Sequence, residues 1–242
     1  ECEVNCGVGE VAIFGECYPI STTEELIIVA DESIPNSQIK IPIPPEIGQL
    51  TNLNTIILRG HSFNSSIPEE LWNLGALTQL DLSDNQLTDQ ISGSIWNLSN
   101  LVELNLNGNL FVDEIPQEMW DLTSLRYLNV SDNNLSGCCM PPMIENLTQL
   151  ETLLAENNEF AGPIPSELGL LNQLTEVDVS GNLISGEIPP EINVTNLPNL
   201  STLDLSDNEL SGLVPSELCG WGSDFFFIQN NQLCPPYPAC IG

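Results

Sequence analysis

The pattern LxxLxLxxNxLxGxIPxxL recurs through most of the chain and constrains the fold more than any other feature. Anchored on the first apolar residue of each LxL, the copies fall at Leu26, Ile56, Leu80, Leu104, Leu128, Leu153, Val177, Leu203 and Phe226. The spacings are 30, 24, 24, 24, 25, 24, 26 and 23 residues. A unit of about 24 residues is one supersecondary element too small to bury its own apolar face, so it must stack on its neighbours. Nine turns are expected, the first and last irregular.

Each LxL should form a short strand whose two apolar residues point inward and whose middle residue points out. Stacked turns then build one continuous parallel sheet. The Asn after each strand (Asn85, Asn109, Asn133, Asn158, Asn182, Asn208 and Asn231) is expected to turn inward and satisfy backbone groups freed by the bend. Asp31 and His61 hold that column in the first two turns, where an imperfect ladder is expected.

The stretches LTQLDLSDNQL (77–87), FAGPIPSELGLL (160–171) and LPNLSTLDLSDNELSGLVPSEL (197–218) resemble plant-type leucine-rich repeats. That family includes plant receptor ectodomains, plant inhibitors of pectin-degrading polygalacturonases, and secreted bacterial proteins. The match covers about residues 20–233, and the end segments 15–26 and 230–240 look most like the secreted bacterial members. The resemblance implies a right-handed leucine-rich-repeat solenoid of α/β repeat class with a concave parallel β-sheet. Its divisions would be an N-terminal cap over 1–25, a solenoid over 26–218 and a C-terminal cap over 219–242.

Departures from the pattern carry expectations of their own. The Gly before IP is present as Gly137, Gly162, Gly186 and Gly212, but Ser65, Asp89 and Asp113 replace it in turns two to four. The backbone there is expected to differ, because Gly supports a conformation other residues resist. Ser92 replaces the Pro of IP in turn three, and the extra residues at 34–41 should bulge as a loop carrying Lys40.

Charge excludes several functions. Three Lys and Arg (Lys40, Arg59, Arg126) face 34 Asp and Glu, for a formal charge of −31. Nucleic-acid binding needs clustered cations, and so does docking on anionic lipid. The longest uncharged apolar runs, near 26–30 and 225–228, fall far short of the roughly 20 residues that span a bilayer. The start at Glu1 without Met reads as a mature product of export, which points to a secreted, extracellular or cell-surface protein. Eight cysteines agree with an oxidising compartment: Cys2, Cys6 and Cys17 near one end, Cys219, Cys234 and Cys240 near the other, and Cys138 with Cys139 between them. All eight are candidates for disulfides. Three per cap leaves one sulfur over at each pole, while Cys138 and Cys139 lie too far along the stack to reach either cap.

No catalytic constellation is legible. His61 is the single histidine, which removes most triads and zinc sites. Asp178 and Asp204, outward on adjacent turns, should lie about 5 Å apart, a separation that also suits a retaining glycosidase. They sit on an open face with no pocket implied, so a non-enzymatic binding or adhesion module is expected. The ligand-binding candidates are Tyr127, Arg126, Glu103, Asn105, Asn129, Asp178 and Asp204 on the outward strand positions. Tyr127 is the one aromatic in the middle of that face, beside Arg126. Extracellular protein or polysaccharide are the expected partners. The alternative is a structural subunit that joins copies head to tail into a fibre or surface layer, through the apolar outward residues Ile27, Val29 and Ile57 at one pole and Phe225 and Phe227 at the other.

No cofactor is expected. The stacked Glu46, Glu70, Glu118, Glu167, Glu191 and Glu217 admit surface-bound calcium, though a Glu after Pro also favours the start of a short helix. Seven N-x-S/T sequons occur, of which Asn64, Asn97 and Asn146 lie outside the sheet core and are the glycosylation candidates.

Overall fold

A computed structural model of the chain describes residues 5–30, 41–138, 140–221 and 225–240. Nine parallel strands, from Glu25–Val29 to Phe226–Phe227, stack in chain order into one sheet. Their register pairs Leu26 with Ile56, Leu80 with Leu104, Leu128 with Leu153 and Leu203 with Phe226, so every anchor read from the repeat lies in one column. Inward residues of the strands are buried, as Leu80, Leu82, Leu128 and Val130 illustrate, and they merge into a single core along the solenoid axis. Opposite the sheet, most turns return through a short 3₁₀ helix such as Gln117–Asp121 or Ser166–Leu170, which presents one or two apolar residues to that core, whereas the turn across 187–200 has none.

A second parallel sheet, absent from the one-sheet expectation, runs along the flank. Its six strands extend from Val112–Glu114 to Gln232–Cys234 and are formed by the residues between the Asn column and the IP step. Two shorter strands, Asn64–Ser65 and Gln86–Leu87, pair separately.

The Asn column forms a ladder. Asn109 Nδ2 donates to the carbonyls of Leu82 (2.9 Å) and Leu106 (3.1 Å), and its Oδ1 accepts from the Leu87 N–H (3.0 Å). The same set recurs at Asn133, Asn158 and Asn182. In the second turn His61 holds this column. It is buried, hydrogen-bonds the backbone of Ile28 and packs 5.2 Å from the Phe63 ring. Since Ile28 pairs in register with Leu58, the carbonyl partner of Asn85, this bond falls where an amide of the column would donate to the preceding turn. Burial lowers its pKa, with the Ile28 contact acting in the opposite direction. Asp31, Lys40 and most of the expected 34–41 loop lie outside the described residues.

The backbone at the Gly-replaced turns is also a correction. Ser65 (φ 69°), Asp89 (66°) and Asp113 (64°) adopt the same left-handed conformation as Gly137 (74°) and Gly212 (80°). The stacking of neighbouring turns therefore overrides the local preference of these residues. Gly137 is needed for space as well, because a Cβ there would lie 2.4 Å from Glu114 Cγ. Relieving a left-handed non-Gly residue is worth about 1 kcal/mol, partly offset by the greater freedom of Gly in the unfolded chain. Asp89→Gly with Asp113→Gly is thus expected to stabilise by about 1 kcal/mol, measured by urea unfolding. Ser92 stands in for the missing Pro: its backbone is extended (φ −67°, ψ 139°), close to that of Pro116 (−64°, 143°), and its hydroxyl accepts from the Ser94 N–H.

The poles differ. At the N-terminal one, the hairpin of Glu10–Ile13 and Glu16–Pro19 is held by Cys6–Cys17 and lays buried Val11 and Ile13 on the core. At the other, Cys219–Cys240 closes the last turn around a cavity of about 420 Å³ lined by Phe226, Phe227, Ile228, Leu233 and Tyr237 among others. Of the eight disulfide candidates, Cys138 and Cys234 are exposed free thiols, Cys234 in keeping with the odd count of three per cap. Each lies on the flank sheet, Cys234 as the leftover of its cap. Cys2 and Cys139 fall outside the described residues.

Candidate functional site

The concave face is built by the strand residues that do not enter the core. In register, Gln79, Glu103, Tyr127, Thr152 and Glu176 form one row across five turns, and Asp81, Asn105, Asn129, Leu154 and Asp178 form the next. In parallel strands about 4.8 Å apart, these rows bring residues 24 or 25 positions distant in sequence into contact. Their meeting creates a cavity of about 430 Å³ whose lining includes Gln79, Asp81, Glu103, Asn105, Arg126, Tyr127, Glu151 and Thr152.

Four of the seven sequence candidates, Arg126, Tyr127, Glu103 and Asn105, line this cavity together. The other three do not. Asn129 is buried rather than displayed: its Nδ2 donates to the Tyr127 hydroxyl (3.2 Å) and its Oδ1 accepts from the Ser131 N–H (3.0 Å). It holds the tyrosine ring rather than offering itself to a ligand. Asp178 and Asp204 are neighbours in register, as expected, but each takes both the backbone N–H and the hydroxyl of a serine two residues on. They close local turns away from the cavity.

Glu151 and Gln79 had no place among the candidates. Glu151 Oε1 accepts from Arg126 Nε (2.9 Å) and also from its Nη2, and both side chains are partly exposed. Gln79 Nε2 donates to Glu103 Oε2 (2.8 Å). A signal existed for both: Glu151 repeats the position of Arg126 one turn on, and Gln79 that of Tyr127 two turns before. Farther along the face, Glu156 is half-buried and accepts from the Ser131 hydroxyl. Burial raises its pKa, with Asp178 and Asp132 adding to the rise and the Ser131 and backbone hydrogen bonds opposing it.

Among the described residues, no group of three His, Cys, Asp or Glu side chains is placed to hold a metal ion. Glu46, Glu118, Glu167 and Glu217 instead lie in the first turns of separate 3₁₀ helices. Their repulsion is a diffuse field that any salt screens. Sodium and calcium chlorides at matched ionic strength are accordingly expected to raise the melting temperature equally. An extra rise in calcium at that ionic strength would show a specific site.

Of the sequon candidates, Asn64 and Asn146 are exposed and Asn97 is half-buried. No helix among the described residues is long and apolar enough to cross a membrane.

Comparison with known proteins agrees with this architecture. The Leucine Rich Repeat family model matches residues 76–98, 100–122, 124–147, 173–194 and 199–221. Among solved structures, the PEPR1–AtPEP1 complex shares 35% identity over 90% of this chain and 30% of that one, with a TM-score of 0.79. The Arabidopsis receptor kinase HAESA, in complex with the peptide hormone IDA and the co-receptor SERK1, shares 33% identity over 81% of this chain and 33% of that one (TM-score 0.75). A plant ice-binding protein shares 29% identity over 89% of this chain and 67% of that one (TM-score 0.77). This chain thus spans about a third of the length of the receptor chains it matches. A search of curated proteins gave no match.

Proposed function

Because the chain is a leucine-rich-repeat solenoid similar to plant receptor ectodomains, we propose that it is an extracellular, non-enzymatic binding module whose concave sheet receives a protein ligand around Tyr127. The observation that carries this reading is the Tyr127 cavity, where an aromatic ring, an Arg and several carboxylates converge on an otherwise shallow face. Tyr and Arg are frequent anchors in protein interfaces. The similar HAESA structure holds a peptide hormone and a co-receptor, which supports a peptide or protein over a polysaccharide. The bridges Cys6–Cys17 and Cys219–Cys240 suit a secreted protein. Asp178 and Asp204 support no hydrolytic role, since the Oδ1 of each is engaged by its serine.

Selection from a displayed library of random peptides tests the proposal. The wild-type chain is expected to enrich a peptide family that Arg126→Ala with Tyr127→Ala no longer retains, with little change in melting temperature. Equal retention by the double variant would move the site to the flanks or caps.

A second reading, the head-to-tail structural subunit, draws on the poles. Ile27, Val29, Phe225 and Phe227 are exposed there, and Cys234 adds a free thiol at one end. Light scattering and non-reducing electrophoresis at rising concentration decide it, a constant monomer without interchain bridges removing the idea.

A further inference from the structure

We infer that the Tyr127 cavity receives a cationic side chain, so that the ligand of the concave face is an extended peptide presenting Arg or Lys there. This rests on the binding reading above and specifies its chemistry. Asp81, Glu103 and Glu151 line the cavity against one guanidinium, Arg126. Arg126 is already paired with Glu151, which leaves Asp81 and Glu103 without a cation among the described residues. Each of these two has one oxygen engaged by a neutral donor. Glu103 Oε2 accepts from Gln79, and Asp81 Oδ1 accepts from the Ser83 N–H (2.9 Å). The second oxygen of each is left for a donor brought by a ligand.

Tyr127 supplies the remaining element. Its strand pairs Tyr127 directly with Glu103, and Asn129 fixes its hydroxyl. A ring flanked by carboxylates attracts a guanidinium or ammonium through its π face while the carboxylates take charge-assisted hydrogen bonds. An anionic group would meet the same carboxylates as repulsion, and would have to draw Arg126 away from Glu151. The overall charge of −31 adds long-range attraction for a basic segment, a steering effect that any acidic protein shares. Selectivity must therefore come from the cavity, and the experiment has to separate the two contributions.

Four blocked pentapeptides, Gly-Gly-X-Gly-Gly with X as Arg, Lys, Gln or Glu, are titrated into the full chain at physiological salt and followed by NMR of the Tyr127 ring. The Arg and Lys peptides are expected to shift the Tyr127 signals saturably, and the Gln and Glu peptides to leave them unmoved. Asp81→Asn with Glu103→Gln keeps both hydrogen-bond acceptors and removes both charges, and is expected to weaken the Arg peptide at least tenfold. Glu167→Gln with Glu217→Gln makes the same charge change on the 3₁₀ side and is expected to alter binding less than twofold. Equal weakening by the two double variants would reduce the effect to the general field and overturn the inference. Gln or Glu peptides binding as well as Arg would overturn it while leaving the binding module standing. Silence from all four, together with library selection unaffected by Tyr127→Ala, would remove both.

Discussion

Asn133→Ala is expected to destabilise the chain by about 3 kcal/mol, a loss of about 9 °C in melting temperature for a domain of this size. The magnitude follows from which partners have substitutes. Asn133 Nδ2 donates to the carbonyls of Leu106, Val130 and Ser131, but Leu106 also accepts from Asn109, Val130 from Asn158, and Ser131 from the Gly108 N–H. These three carbonyls keep a partner each. The Phe111 N–H, which donates to Asn133 Oδ1 at 3.1 Å, has that contact removed beside a fully buried ring. An orphaned buried donor costs about 1–3 kcal/mol, and the small void left by the amide adds to it. The exposed neighbour Asn134→Ala should change stability by less than about 0.5 kcal/mol. Urea unfolding of the pair checks the argument, and a loss below about 1 kcal/mol at Asn133 would mean that the ladder is dispensable.

Replacing Cys219 and Cys240 with Ser is expected to cost a similar amount, about 3 kcal/mol from the freedom returned to a loop of 21 residues in the unfolded chain. Its location should differ. In a stack where each turn touches its neighbours, loss of an end constraint loosens the end first. Amide exchange should therefore accelerate around Phe226–Phe227 and Gln232–Cys234 before it changes around Tyr127–Asn129. Uniform acceleration along the chain would show that the solenoid unfolds as one unit.

The sheet register was legible because LxL alternation and a fixed period specify both which residues face inward and which turns are neighbours. The flank sheet was not. Its strands are short, Val112–Glu114 being exposed throughout and Leu183–Gly186 burying Ile184 alone, so no alternation marks them. The left-handed Asp89 and Asp113 were misjudged for a related reason: conformation at those positions is dictated by the turns above and below. At the candidate site, Tyr127 and Arg126 stood out by chemistry, and their row by spacing. Asn129 was misplaced because outward direction does not guarantee exposure when the residue two positions before it folds a ring over it. The pairing of Cys6 with Cys17 rather than Cys2 depends on a hairpin, and spacing alone did not choose it.

The Asn ladder also determines how the protein responds to a pulling force. Each rung ties a turn to the next through an amide that accepts from the turn before and donates to carbonyls of that turn and its own. Tension applied along the axis therefore loads the rungs in series, and the weakest yields first. The bridges Cys6–Cys17 and Cys219–Cys240 act as buckles on the two end turns, where peeling would otherwise begin. Stretched by its ends, the oxidised chain should surrender contour length in steps of about one turn starting from within, and the reduced chain from its tips.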